Sequence, residues 1–137
     1  MNKILVLGGG SWGTTLGNLL AEKDYDVSLW ARNSKIFKKV KNNWINNQYL
    51  PKYKLSKNLK IISNLKDAFK DVDLVIIAIP SKGFRSVSSK ISRHLDNQKI
   101  LIASKGIENE SFMTMSEVFL DETNHLKKNI MVLSGPN

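Results

Sequence analysis

The sequence predicts a doubly wound α/β domain, a mostly parallel sheet with helices on both faces. Three observations carry that expectation. Runs that are apolar throughout, such as Ile4 to Leu7 and Leu74 to Ile79, read as strands buried on both sides. Segments with apolar residues at helical spacing separate them, and glycine, proline or polar clusters mark the changeovers. The alternation continues to the end without an internal repeat or low-complexity tract, so a single domain over residues 1–137 is expected.

Lys3 to Leu7 is too short for a helix and runs into Gly8-Gly9-Gly10, which makes it a buried strand. Trp12, Leu16, Leu19 and Leu20 recur at i, i+4, i+7 and i+8 and give the apolar face of a helix ending near Glu22-Lys23. Val27, Leu29 and Trp30 form a second strand, after which Arg32-Asn33-Ser34 offers a cap for a Lys-rich helix through Val40. Asn42 to Asn58 is polar and irregular, yet Trp44, Ile45, Tyr49, Leu50 and Leu55 predict a long ordered loop with anchored aromatics. Leu59 to Ile62 is a brief strand, Leu65 to Phe69 a turn or two of helix, and Leu74 to Ile79 a strand closed by Pro80. Phe84, Val87, Ile91 and Leu95 mark the next helix and Ile100 to Ala103 the next strand. Phe112, Met115, Val118 and Phe119 mark the last helix, and Ile130 to Leu133 the last strand.

The composition, 42% apolar and 24% charged over 137 residues, is that of a folded globular chain and excludes a disordered one. The absence of cysteine removes a disulfide scaffold, a thiolate metal site and a cysteine nucleophile, and suits a reducing cytoplasm. No apolar run approaches the roughly 20 residues of a membrane span, and the one after Met1-Asn2-Lys3 is too short for a signal peptide. The formal charge of +9 is spread along the chain beside Asn and Ile. It reflects composition rather than a nucleic-acid surface, which needs a clustered basic face with stacking aromatics. His94 and His125 lack partners at ligand spacing, so they are expected on the surface and no metal is expected. No G-x-S-x-G elbow and no Gly-Lys-Ser/Thr phosphate loop appears, which argues against a hydrolase and an NTPase.

Gly8-Gly9-Gly10-Ser11-Trp12-Gly13 satisfies G-x-G-x-x-G between the first strand and the first helix, which is the context a Rossmann-type dinucleotide site requires. Gly8 permits the tight turn, Gly10 lets backbone approach a pyrophosphate, Gly13 lets helix and strand pack, and the helix N-terminus attracts the anion. About 20 residues further on, where an NAD site carries Asp or Glu, stands Ala31-Arg32-Asn33. With no carboxylate to repel a 2′-phosphate and Arg32 to pair with it, NADP(H) is expected to be accepted at least as well as NAD(H). Pro80-Ser81, Ser104-Lys105-Gly106 and Ser134-Gly135-Pro136-Asn137 each follow an apolar strand and so lie at the carboxyl edge of the sheet, where open α/β domains bind ligands. Lys105 places an ammonium there for a carbonyl or hydroxyl near the cofactor, while the Gly135 backbone and the Asn137 amide are available to a polar substrate.

Six ordered blocks then carry a resemblance: Gly8-x-Gly10-Ser11-Trp12-Gly13-Thr14, Leu29-Trp30-Ala31-Arg32, Asn47-x-Tyr49-Leu50-Pro51, Ile79-Pro80-Ser81, Ser104-Lys105-Gly106-Ile107-Glu108 and Leu133-Ser134-Gly135-Pro136. Over its whole length the chain resembles the N-terminal, NAD(P)-binding domain of bacterial-type NAD(P)-dependent sn-glycerol-3-phosphate dehydrogenases. The resemblance implies reduction of dihydroxyacetone phosphate to sn-glycerol 3-phosphate for glycerophospholipid synthesis, by a cytoplasmic enzyme that is a homodimer at full length. By matching position it implies Ser11 and Trp12 at the cofactor phosphates, Arg32 on the adenosine side and Tyr49 on the cofactor from the long loop. It further implies Lys105 on both cofactor and substrate, the Gly135 backbone on the glycerol phosphate, and Asn137 as a substrate-side amide where other members carry Thr. The family continues into a helical C-terminal domain with the general acid/base lysine and the substrate-phosphate contacts. A chain stopping at Asn137 is therefore expected to be cut short, with no catalytic residue of its own, binding cofactor while turning over slowly or not at all. Two other readings stay open, a stand-alone dinucleotide-binding regulatory module and the cofactor domain of a β-hydroxy acid dehydrogenase.

Overall fold

The computed structural model describes residues 3–32 and 42–135. The helix expected from Asn33-Ser34 through Val40 lies outside the described residues, as do Pro136 and Asn137. Six strands, β1 (Lys3–Leu7), β2 (Asp26–Trp30), β3 (Lys60–Ile62), β4 (Leu74–Ile77), β5 (Lys99–Ile102) and β6 (Ile130–Val132), pair in the order β3-β2-β1-β4-β5-β6. Every pairing is parallel. The chain begins mid-sheet, steps out to β3 and returns to the other side of β1. The boundary between β1 and β4 is thus the point where successive connections diverge and leave a crevice beyond the carboxyl ends. Leu7 stands level with Trp30 and Ile77, and Ile77 with Ile102, so Gly8, Ala31, Ala78 and Ala103 all leave the sheet at one height.

Alternation along the strands divides the core into two layers. Leu5, Leu7, Val75, Ile77, Ile100 and Ile102 join the apolar residues of α2 (Ser81–Ser92) and α3 (Met115–Glu122), with Phe84 and Phe119 fully buried. Ile4, Val6, Val27, Leu29 and Ile76 form the other layer with α1 (Ser11–Glu22) and with Leu55 and Leu59 from the long connection. Burial on both faces is why these strands read as unbroken apolar runs.

Several expected elements are corrected in detail. Of the expected apolar face of α1, Trp12, Leu16 and Leu20 pack half-buried against the core layer, whereas Leu19 is 48% exposed and the buried residues are Gly13, Thr14, Gly17 and Ala21. The helix meets the sheet through small residues, which brings it close enough that a Cβ on Gly17 would touch Leu59 and Val6 at 3.4 and 3.7 Å. Phe112 lies outside α3 and is exposed, because a reciprocal Thr114–Glu117 capping box starts that helix after it. Leu95 falls beyond the end of α2, although it still packs against the same layer. Leu65 to Phe69 forms hydrogen-bonded turns, with Ala68 N donating to Leu65 O at 3.2 Å, and no helix. β4 stops at Ile77 rather than Ile79 because the Ile79 N–H donates to the Ser104 hydroxyl at 2.9 Å and not to the ladder. The two histidines are half-buried rather than on the surface: His94 stacks on Phe69 at 5.7 Å, and His125 Nε2 lies 2.8 Å from Gln98 O.

Candidate cofactor site

At the end of β1 the three glycines of the turn differ in what they do. Gly8 has φ +123°, and a Cβ there would stand 2.3 Å from Ala78 O, so neither the backbone angle nor the space admits a side chain. A Cβ on Gly13 would stand 2.0 Å from Gly8 O, which places the first turn of α1 directly on the strand exit. A Cβ on Gly10 would meet nothing within 4 Å. Gly10 is also the N-cap of α1, without a side-chain cap and without an acidic residue in the first turn. The N–H groups of Ser11, Trp12 and Gly13 therefore have no intrahelical acceptor, and the positive end of the helix is open to an anion.

A cleft of about 530 Å³ opens beside this turn, within the usual size range of small-molecule sites. Gly8, Gly9 and Gly10 form one wall, and Trp30, Arg32, Tyr49, Pro80 and Lys82 contribute to the others. Arg32 is exposed at the end of β2 and has no ion-pair partner among the described residues. Asp26, at the other end of that strand, pairs with Lys60 at 2.7 Å, as far from the cleft as the strand allows. The Trp12 indole leans into the α1-side layer with its Nε1 buried and unpartnered, so Trp12 offers the turn its backbone N–H. The open N-cap, the cation and the cleft together fit a phosphate-bearing dinucleotide.

The long loop is built onto this turn. Asn46 Nδ2 donates to Gly9 O at 3.0 Å and to Thr14 Oγ1 at 2.9 Å, while Asn18 Oδ1 accepts from Ser56 N at 2.7 Å. Leu55, buried, closes the far end, with its N–H donating to Trp44 O at 2.6 Å. Tyr49 is carried between these anchors to the cleft wall.

Across the same sheet edge, Ser104 is buried and ties two strand ends together. Its hydroxyl accepts from Ile79 N and donates to Ile77 O at 3.2 Å. Lys105 follows, exposed, and its Nζ donates to Gly135 O at 2.6 Å. The next residue rests on the cleft-bordering segment, since a Cβ on Gly106 would lie 3.2 Å from Ser81 Cβ. The structure thus joins Lys105 with Gly135, gathers the glycine turn, Arg32 and Tyr49 around the cleft, and puts both groups on one edge. Sequence reasoning missed Asn46 and Lys82, and placed Ser104 at this edge without its role in tying the strand ends.

Beyond Lys105 the loop is clamped by charge. Arg85 on α2 donates Nε and Nη2 to the two carboxylate oxygens of Glu108, each at 2.8 Å, and also pairs with Asp121 and Glu122 of α3. Hydrogen bonds from Arg85 and from the Ser111 hydroxyl hold the Glu108 carboxyl down to about 2 from an ordinary 4.5. The same three carboxylates push the Arg85 guanidinium further up. Because the Glu108 value is depressed in the folded chain, this contribution is complete above pH 4.5 and is lost as the pH falls toward 2. Denaturant melts across that window are expected to show a steeper loss of stability for the unmodified chain than for Arg85→Gln, with parallel behaviour above it.

A family model described as the N-terminus of NAD-dependent glycerol-3-phosphate dehydrogenase matches residues 3–137. The chain belongs to this family. Glycerol-3-phosphate dehydrogenase (NAD(P)+) of Psychrobacter cryohalolentis is 39% identical over 135 residues, which are 98% of this chain and 31% of that protein. The enzyme of the same name from Carboxydothermus hydrogenoformans is 39% identical over 136 residues, 98% of this chain and 40% of that one. The crystal structure of glycerol-3-phosphate dehydrogenase from Coxiella burnetii superposes with a TM-score of 0.89 at 32% identity, covering 98% of this chain and 41% of that chain. The chain therefore spans well under half the length of the relatives it matches and corresponds to the family's NAD-binding N-terminal part. Membership sets aside the β-hydroxy acid dehydrogenase reading. No helix among the described residues is long and apolar enough to cross a membrane.

Proposed function

We propose that residues 1–137 are the dinucleotide-binding domain of an NAD(P)-dependent sn-glycerol-3-phosphate dehydrogenase, which reduces dihydroxyacetone phosphate to sn-glycerol 3-phosphate for glycerophospholipid synthesis. The observation that carries this reading is the open Gly10 end of the turn beside Arg32 in one cleft, on the sheet edge that also bears Lys105 and Gly135. A bound nicotinamide cofactor supplies the hydride. The Gly10 to Gly13 backbone, including the Ser11 and Trp12 amides, holds the pyrophosphate at the positive end of α1. Arg32 pairs with a 2′-phosphate, and Tyr49 lies against the cofactor from the loop.

An ammonium carries three donors, so Lys105 bonded to Gly135 O keeps two for the cofactor and for the ketone oxygen of the substrate, whose developing charge it stabilises. The Gly135 backbone and the Asn137 amide hold the glycerol phosphate. Proton transfer falls to a lysine in the polypeptide that the longer relatives carry beyond this stretch, within a cytoplasmic homodimer. The test grafts residues 1–137 in place of the matching segment of the Carboxydothermus enzyme and follows loss of reduced-nicotinamide absorbance. Turnover with dihydroxyacetone phosphate, none with β-keto acids, and only slow or no turnover by the chain alone are expected. A graft that folds yet prefers a β-keto acid contradicts the reading.

A further inference from the structure

We infer that Asn46 is a positioning residue that holds the glycine turn and Tyr49 in one register around the dinucleotide, an inference that rests on the cofactor reading above. Asn46 is 1% exposed, although Asn47, Gln48 and Tyr49 beside it are exposed. Burying an amide is unfavourable unless its hydrogen-bonding groups are used, and here they are. Both Nδ2 protons are donated, to Gly9 O and Thr14 Oγ1, and Oδ1 accepts from Tyr49 N at 3.3 Å. The Asn46 main-chain carbonyl adds to the hold by accepting from Tyr49 N at 3.1 Å and from Leu50 N at 2.7 Å. One residue thereby joins the turn, the first turn of α1 and the loop residue on the cleft wall.

The bond to Gly9 fixes more than a carbonyl. In a trans peptide the C=O and the following N–H point in opposite directions. Drawing Gly9 O toward Asn46 therefore turns the Gly10 N–H away from the loop, at the one glycine of the turn with open space around it. A polar anchor beside the turn sets the direction of donors, which burial alone does not.

Calorimetric titration of NADPH into the chain and into Asn46→Ala, Tyr49→Ala and the double variant tests this. Each single change is expected to weaken binding about tenfold. The double change is expected to weaken it little further, far short of the hundredfold that independent sites give, because Tyr49 reaches the cleft from the segment that the Asn46 amide ties to the turn. Thr14→Val keeps the side-chain shape and removes one acceptor, so it provides a second variant if Asn46→Ala melts early, with about threefold weaker binding expected. Folded Asn46 and Thr14 variants that bind as the unmodified chain does, or losses that multiply fully, overturn the inference. Failure of the unmodified chain to bind overturns the cofactor reading and this inference with it.

Discussion

Gly10→Ala is expected to weaken dinucleotide binding strongly in a chain that stays folded, whereas Gly8→Ala is expected to damage the fold itself. Gly10 has φ −74° and ψ −177°, which alanine adopts without strain, and its Cβ meets no atom within 4 Å. Stability should fall by no more than about 1 kcal/mol, the cost of alanine at an N-cap. The added methyl nevertheless stands where a pyrophosphate approaches the backbone, so NADPH affinity should drop by a factor on the order of 100. Gly8→Ala combines a positive φ with a 2.3 Å contact to Ala78 O, a backbone atom of the adjacent strand exit that has nowhere to move. Backbone strain of about 1–3 kcal/mol and overpacking of a similar size add up to a large part of a typical domain's stability. Urea melts beside NADPH titrations separate the two variants. A Gly10→Ala chain that binds normally contradicts the assignment of that glycine to the ligand.

Arg32→Ala should lower affinity for NADPH about 10- to 100-fold while leaving NADH within about threefold. A charge-assisted hydrogen bond contributes about 1.5–3 kcal/mol, and Arg32 on the cleft wall has no ion-pair partner among the described residues to compete for it. Asp26, the carboxylate in β2, pairs with Lys60 at the opposite end of the strand and does not oppose a 2′-phosphate. Arg32→Lys should recover only part of the loss, because an ammonium cannot present the guanidinium's paired donors. Equal losses for both cofactors would place Arg32 on a part of the ligand they share.

Where a single local signal decided the outcome, the sequence was enough. Lys3 to Leu7 was read to the residue, because an apolar run between a charge and three glycines leaves no other boundary. The turn glycines, Lys105 and the sheet-edge segments were legible because their place follows from strand ends alone. Burial was harder to read. Asn46 stands among Asn42, Asn43 and Asn47, and only the fold distinguishes the one that is enclosed, although its spacing of three from Tyr49 is that of a side chain bonding the backbone just ahead. The helical pattern of α1 found Leu16 and Leu20, which pack against the layer, but not Gly13, Gly17 and Ala21, the small residues that close packing against a sheet buries completely. Phe112 matched a period that the Thr114–Glu117 cap cuts off. Arg85 meets Glu108, Asp121 and Glu122 across separations of more than 20 residues, which no periodicity encodes.

The central claim, that the open glycine turn and Arg32 make a phosphate-bearing dinucleotide site, is tested most directly by calorimetric titration of the chain with NADPH and NADH at two salt concentrations. Both cofactors should bind, NADPH at least as tightly as NADH, and NADPH affinity should fall more as salt screens the extra phosphate. A chain that melts cooperatively yet binds neither cofactor would contradict the claim.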